Sequence, residues 1–301
     1  MKLTILGCHS ATPRINTNPT SQVLEINNHV FLIDCGEGTQ VELRRNRVKF
    51  NRIKHIFISH LHGDHYFGLI GLISTFRLLT RETELHIYAP KGLKELVTLQ
   101  MKLANSWTNY MLIFHELNSN ESELIFEDEK VEIHTIPLDH RIYTNGFLFK
   151  EKVGQRKLDM NAVLNADIDV AYYNKLKQGF DVVNKQEVLI KNKTVTKAPN
   201  LPKSYAFCSD TAYNEAIVNI IKGVTVLYHE STFIEKNEKL AAPTKHSTAK
   251  QAAQIAKLAE VDTLILGHFS TRYDDLKVFK EEALTIFNSV LLAEAGKVIE
   301  F

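Results

Sequence analysis

Short apolar runs, each closed by a polar cluster, recur along the whole chain, and their periods separate strands from helices. Lys2–Gly7, with Leu3, Ile5 and Leu6 apolar, predicts a first strand. Ser21–Ile26 and Val30–Asp34 alternate apolar and polar positions, and Asn27-Asn28 between them predicts a hairpin. The intervening loop carries turn signals at Pro13-Arg14 and Asn18-Pro19-Thr20. Helical spacing follows at Thr39–Arg47, a β-branched run at His55-Ile56-Phe57-Ile58, and helical spacing again from about Tyr66 to Leu79. Further strands are expected near Glu84–Tyr88, Gly146–Phe149, Ser204–Ser209, Thr225–Tyr228 and Asp262–Leu266, and two short ones near Val290–Ala293 and Val298–Phe301. Met111–Leu117, Glu123–Phe126 and Lys130–Ile136 read as an antiparallel stretch. Helices are expected after Pro90-Lys91-Gly92, from Asp210 or Thr211 to Ile221, after Ser247 as N-cap, and over Leu276–Asn288. This order predicts two stacked sheets with helices outside.

Residues 151–201 break the rhythm. Hydrophobic periodicity is weak, lysines are frequent, and one short helix is plausible around Asp167–Leu176. The segment reads as an arm inserted into a single domain spanning 1–301.

Composition narrows the class. The 301 residues are 44% hydrophobic and 24% charged, as in a folded globular protein. A net charge of +1 leaves any nucleic-acid site to local patches, such as the basic run Arg44, Arg45, Arg47, Lys49, Arg52 and Lys54. No signal-like N-terminus and no run of 18 or more apolar residues occurs, so a cytoplasmic protein without membrane contact is expected. Cys8, Cys35 and Cys208 lack metal-ribbon spacing and read as buried residues. Histidine is the unusual count, at 13.

Several histidines close the apolar runs. Ser59-His60-Leu61-His62-Gly63-Asp64-His65 places three imidazoles and a carboxylate between a strand end and a helix start, where open α/β sheets bind ligands. His140, Asp210 and His268 each follow a strand in the same way. Together these seven are the donors that two metal ions need if one carboxylate is shared. His60, His62 and His140 would hold one ion, Asp64, His65 and His268 the other, and Asp210 would bridge them. The donor set suits zinc best, and two ions about 3.5–4 Å apart can clamp a phosphoryl or carbonyl oxygen.

The H-x-H-x-D-H element resembles the metallo-β-lactamase superfamily, which implies an αββα sandwich of two mixed sheets. Five further elements, Asp34-Cys35-Gly36-Glu37-Gly38-Thr39-Gln40, Leu138-Asp139-His140 with Gly146-Phe147, His229-Glu230-Ser231-Thr232-Phe233, His246-Ser247-Thr248 and Gly267-His268-Phe269-Ser270-Thr271-Arg272-Tyr273, resemble the ribonuclease Z family in its short, homodimeric form. That resemblance implies a zinc-dependent endonuclease acting on the 3′ side of precursor tRNA. It implies Asp64 as the residue orienting the nucleophile, and His246, held protonated by Glu230, as the acid that protonates the leaving 3′-oxygen. Arg272, Tyr273, Arg44 and Arg45 are the substrate contacts it suggests. Two departures stand out. The first loop carries His9 in place of a glycine-rich sequence, and the arm has Gly154 and Gly179 but no Gly-Pro motif. His9 and His229 read as supporting residues, and His55, His86, His115 and His134 as strand residues without a role. The alternatives are a thiolesterase, lactonase or small phosphodiesterase of the same superfamily, or a metal-free RNA-binding protein.

Overall fold

Alternation decides which way each strand faces. In His29–Ile33, Phe31 and Ile33 point into one apolar cluster while Val30 and Leu32 point into another. The same split runs through the first sheet, so it is covered on both faces. The computed structural model describes Met1 to Phe301 except Pro13 and Asn16, and the turn expected at Pro13 lies outside the described residues. The chain divides into two compact units, one of Met1–Glu127, Val131–Lys150 and Lys203–Phe301, the other of Asp128–Lys130 and Glu151–Pro202.

The first unit holds two seven-stranded sheets among the described residues. In spatial order the first is Val298–Glu300, Lys2–Gly7, Ser21–Ile26, His29–Ile33, Ile53–Phe57, Leu85–Pro90 and Leu112–Leu117. It is antiparallel up to His29–Ile33 and parallel beyond. The second runs Val290–Leu292, Thr263–Gly267, Val226–Glu230, Ser204–Cys208, Asn145–Glu151, Val131–Pro137 and Leu124–Glu127. The expected pair of mixed sheets is therefore present. Phe57 stacks on Tyr88 at 4.6 Å and meets Phe147 of the other sheet edge-on at 5.3 Å. Such pairs add roughly 0.5–1.5 kcal/mol each beyond burial, and they lie just below Ser59 and His60. Helices Leu69–Leu78 and Leu93–Leu103 cover the outer face of the first sheet, and Ala249–Leu258 and Lys277–Leu284 pack against the second. Among the described residues no helix is long and apolar enough to cross a membrane.

Local chemistry explains the boundaries. Asn27 and Asn28 both take positive φ, 46° and 75°, as a two-residue hairpin turn requires. Four expectations are corrected. Leu112–Leu117 pairs parallel with Leu85–Pro90 in the first sheet and is not part of the antiparallel stretch, because helix Leu93–Leu103 carries the chain across the sheet. No α-helix follows Asp210; only a one-turn 3-10 segment, Glu215–Ile217, forms there, capped by Asn214. Asp210 adopts φ 49°, and Thr211 Oγ1 accepts from Asp139 N–H and donates to Ala212 O, so neither caps a helix. The helix that begins at Ala249 is capped by Thr248 in a reciprocal box with Gln251, while Ser247 donates to Thr211 O at 2.7 Å. The Tyr66–Leu79 helix divides into Gly63–Tyr66 and Leu69–Leu78.

The second unit has its own small core of Val163, Ile168, Leu176, Val182 and Val195. Asp159 caps helix Met160–Asn165, and two strand pairs of two residues each close the loops. Asp167, at φ 51°, stops the helix expected to start there; a 3-10 turn, Val170–Tyr172, and helix Tyr173–Lys177 take its place.

The division of the helix after the histidine motif has a steric cause. Gly68 gives its N–H to Cys35 O, and a Cβ on Gly68 would lie 2.2 Å from Gly36 O. Gly68→Ala is expected to cost about 1–3 kcal/mol, read from the urea midpoint, because backbone must move to admit the methyl. An unchanged midpoint would show that this contact is not a constraint.

Candidate metal centre

The centre sits beyond the C-terminal ends of strands from both sheets. Asp34, Asp210 and His268 each directly or nearly follow a strand, and each turns to positive φ, 53°, 49° and 58°. Asp and His tolerate that left-handed turn better than bulky residues, and all three are buried.

All seven donors expected from the sequence converge. Three imidazole nitrogens meet: His62 Nδ1 lies 2.9 Å from His60 Nε2 and 3.2 Å from His140 Nε2. Asp210 Oδ2 stands 3.6 and 3.7 Å from the latter two. The other Asp210 oxygen faces the second group, 3.3 Å from His65 Nε2 and 3.1 Å from His268 Nε2. Asp64 Oδ2 completes it at 3.4 and 3.5 Å from those nitrogens.

The residues fit divalent ions on three counts. Donors bound at about 2.0–2.2 Å in tetrahedral array lie roughly 3.3–3.6 Å apart, close to the separations here. His65 Nε2 and His268 Nε2 are buried without a hydrogen-bond partner. Burial and neighbouring imidazoles hold His60 well below the usual histidine range, in the neutral form that a metal requires. Burial works against charge on His65 too, but Asp210, Asp64 and Asp34 push it well above that range. Three carboxylates there demand a positive charge, supplied by a proton or by a metal.

A second layer aims the donors. Asp34 accepts from Ser59 N–H at 2.7 Å, Ser59 Oγ at 2.9 Å and His65 Nδ1 at 2.7 Å. Ser59 Oγ in turn accepts from His60 Nδ1 at 3.0 Å. Both rings thus present Nε2 to the centre. His140 Nδ1 donates to Lys245 O at 3.0 Å, and His268 Nδ1 to Thr232 Oγ1 at 2.9 Å.

Beside this centre lies a buried ion pair. His246 Nδ1 is 2.7 Å from Glu230 Oε1. Glu230 also accepts from Thr211 N–H, Thr232 N–H and Thr232 Oγ1 at 3.0, 2.9 and 2.7 Å. Burial works against charge on this carboxyl, but the charge and hydrogen bond of His246, with the His268 imidazole, hold it below the usual range. Burial also opposes the imidazolium, yet Glu230 pushes His246 up to about 9.

A cleft of about 590 Å³ exposes the centre, lined by His62, Asp64, Asp210, His246 and His268 and, at its rim, Arg141 and Arg272. Of the four suggested substrate contacts, Arg272 alone lines it among the described residues. The Tyr273 hydroxyl donates to Asn237 at 2.8 Å and its ring packs on Phe279. Arg45 pairs with Glu42, and Arg44 lies over Phe50 beside a separate cavity. His229 donates to Glu230 O and faces no donor of the centre.

Comparison with known proteins agrees along the full length. A curated protein of Bacteroides fragilis named Ribonuclease Z is 45% identical over 99% of this chain and 98% of its own. The chain belongs to the ribonuclease Z family. The crystal structure of the short form of human tRNase Z is 27% identical, with a TM-score of 0.73 over 100% of this chain and 99% of that one. The metallo-β-lactamase fold protein YhfI of Bacillus subtilis, 17% identical, shares the fold with a TM-score of 0.69 over 99% of each chain. Residues 1–178 also match the family model described as Anti-Pycsar protein Apyc1, which ends before Asp210, Glu230, His246 and His268.

Sequence reading passed over Asp34, Ser59 and Thr232 as site residues, although each lies in a motif it singled out. The available signal was a carboxylate or hydroxyl at a strand end, next to a donor histidine. Asp34→Asn keeps the shape but weakens the hold on His65 Nδ1. It should lower metal affinity about 10–100-fold, measured by competition with a chromogenic chelator. Wild-type affinity would show that Asp34 does not aim the ring.

Proposed function

We propose that this chain is an endoribonuclease that cuts the 3′ trailer from precursor tRNA, leaving a 3′-OH on the tRNA and a 5′-phosphate on the trailer. The observation that carries the reading is the Glu230–His246 pair set beside the donors of the centre. A superfamily hydrolase of small thioesters, lactones or cyclic phosphodiesters is disfavoured. Relatives named Ribonuclease Z match across the stretch that contains that pair.

Two divalent ions, zinc by donor chemistry, would be held by His60, His62, His140 and Asp210 and by Asp64, His65, His268 and Asp210. When bound, they supply an acidified water as nucleophile at neutral pH and neutralise charge on the phosphate. Burial opposes charge on Asp64, but His65 and His268 hold its carboxyl well below the usual range, so it is an acceptor that can orient the attacking water. His246 lines the cleft with Nδ1 committed to Glu230, which leaves Nε2 to donate to the departing 3′-oxygen. Glu230 keeps that proton in place.

Arg272, which lines the cleft, would meet substrate phosphate. The lysine-rich second unit would contact the tRNA backbone, giving salt-sensitive binding without reading sequence. A homodimer in the cytoplasm belongs to the same reading; Leu99, Leu103, Trp107 and Met111 are exposed apolar residues that such a contact would cover.

The direct test incubates the purified protein with a precursor tRNA bearing a 3′ trailer, with and without chelator, and maps the new ends. Metal-restored cleavage at the trailer junction is expected; its absence would sink the reading. His246→Ala should keep both metals yet lose about 10²–10⁴-fold in turnover. Loss of metal in that variant would make His246 a ligand instead.

pH separates the roles further. The imidazolium of His246 is present below its raised value and is lost as pH rises through about 9, so turnover should fall on the alkaline side near there. Glu230→Gln removes the charge that raises it and should move that limb to lower pH. A limb that stays in place would take the pair out of proton delivery.

A further inference from the structure

Arg141 follows the donor His140 and lines two cavities at once, the catalytic cleft and a smaller one of about 380 Å³. It lines the larger cleft together with His62 and His246. Nearby Lys245 is engaged with Asp139 at 2.7 Å. Arg141, by contrast, is exposed and makes no hydrogen bond or ion pair among the described residues. The smaller cavity is lined by His140, Ser119, Asn120, Tyr143 and Asn145, and the Tyr143 hydroxyl donates to Ser119 O at 3.0 Å. Asn145 is fully buried; its Nδ2 donates to the Tyr143 hydroxyl, and its Oδ1 is an acceptor without a partner. A volume at the small end of ligand pockets suits one nucleoside and excludes a paired stem.

We infer that this cavity is a nucleotide subsite. It takes one of the two nucleosides that flank the scissile phosphate, and Arg141 clamps the phosphate on that nucleoside's far side. The inference rests on the proposed RNA cleavage and adds to it a place where single-stranded substrate is gripped next to the centre. An unpartnered guanidinium is suited to this because it offers paired N–H donors to phosphate oxygens. The polar wall offers hydrogen bonds to a ribose or base edge.

The test is a cycle between protein and substrate. Precursor tRNAs are made with a single uncharged methylphosphonate at each linkage on either side of the scissile one. Cleavage by wild type, Arg141→Ala and Arg141→Lys is then measured as kcat/KM. Arg141→Ala should lose about 10–100-fold on the natural substrate, with Arg141→Lys between. At one linkage the methylphosphonate should cost wild type about as much and cost Arg141→Ala nothing further. Removing the base of the intervening nucleotide should weaken wild-type binding. Penalties that multiply at every linkage, or an Arg141→Ala variant equal to wild type, would overturn the subsite while leaving RNA cleavage intact. Failure of wild type to cut any precursor would overturn the functional reading and the subsite with it.

Discussion

Buried negative charge is the constraint on which the rest of this protein depends. Asp34, Asp210 and Glu230 are almost wholly excluded from water. An isolated carboxylate in such surroundings costs several kcal/mol even after relaxation. Each is therefore surrounded by polar groups: Ser59 and His65 donate to Asp34, Ser209 donates to Asp210 with the His65 and His268 imidazoles beside it, and Thr211, Thr232 and His246 face Glu230. The positive charge demanded at Asp210 is one that a metal ion would supply. The positive charge demanded at Glu230 is the proton kept on His246. One electrostatic requirement, met in two ways a few ångströms apart, yields both a candidate metal centre and a protonated imidazole beside it.

The two sites are also mechanically joined. Thr232 Oγ1 donates to Glu230 and accepts from His268 Nδ1, so the partner of His246 and a residue of the candidate centre share one hydroxyl. Lys245 O receives His140 Nδ1, and His246 is the next residue. A shift in one segment reaches donors in both groups. The fold supplies this by ending its strands together. The aromatic contact of Phe57, Tyr88 and Phe147 fixes the spacing of the sheets directly beneath, and Gly36 against Gly68 fixes the approach of the histidine loop.

Much of this was legible before any tertiary contact was known. Alternation in Ser21–Ile26 and from Val30 onward, and the Asn-Asn turn, are local properties, and the structure carries them with the second strand set one residue earlier, at His29–Ile33. What misled was local preference defeated by distant demand. Thr211 looks like a helix cap, but its hydroxyl is taken by the N–H of Asp139, 72 residues back. Ser247 looks like a cap, but Thr211 O holds it. Leu112–Leu117 reads as a neighbour of the strands that follow it, yet its partner lies behind it in the chain, across a helix. Arg44, Arg45 and Tyr273 have the chemistry of substrate contacts, and packing or pairing near them uses it.

The sequence by itself determined the donor types and their place at strand ends, because short-range spacing within Ser59 to His65 and the apolar runs before His140, Asp210 and His268 leave little choice. It also determined the alternation that makes two-faced sheets. Only the tertiary structure decided which nitrogen of each histidine faces inward, since that depends on Asp34, Ser59, Thr232 and Lys245 arriving from other strands. It alone decided that Asp210 divides its oxygens between the two groups. It alone left Arg141 without a partner between two cavities. Donor identity is written residue by residue; orientation and vacancy are relations between segments, and no local pattern records them.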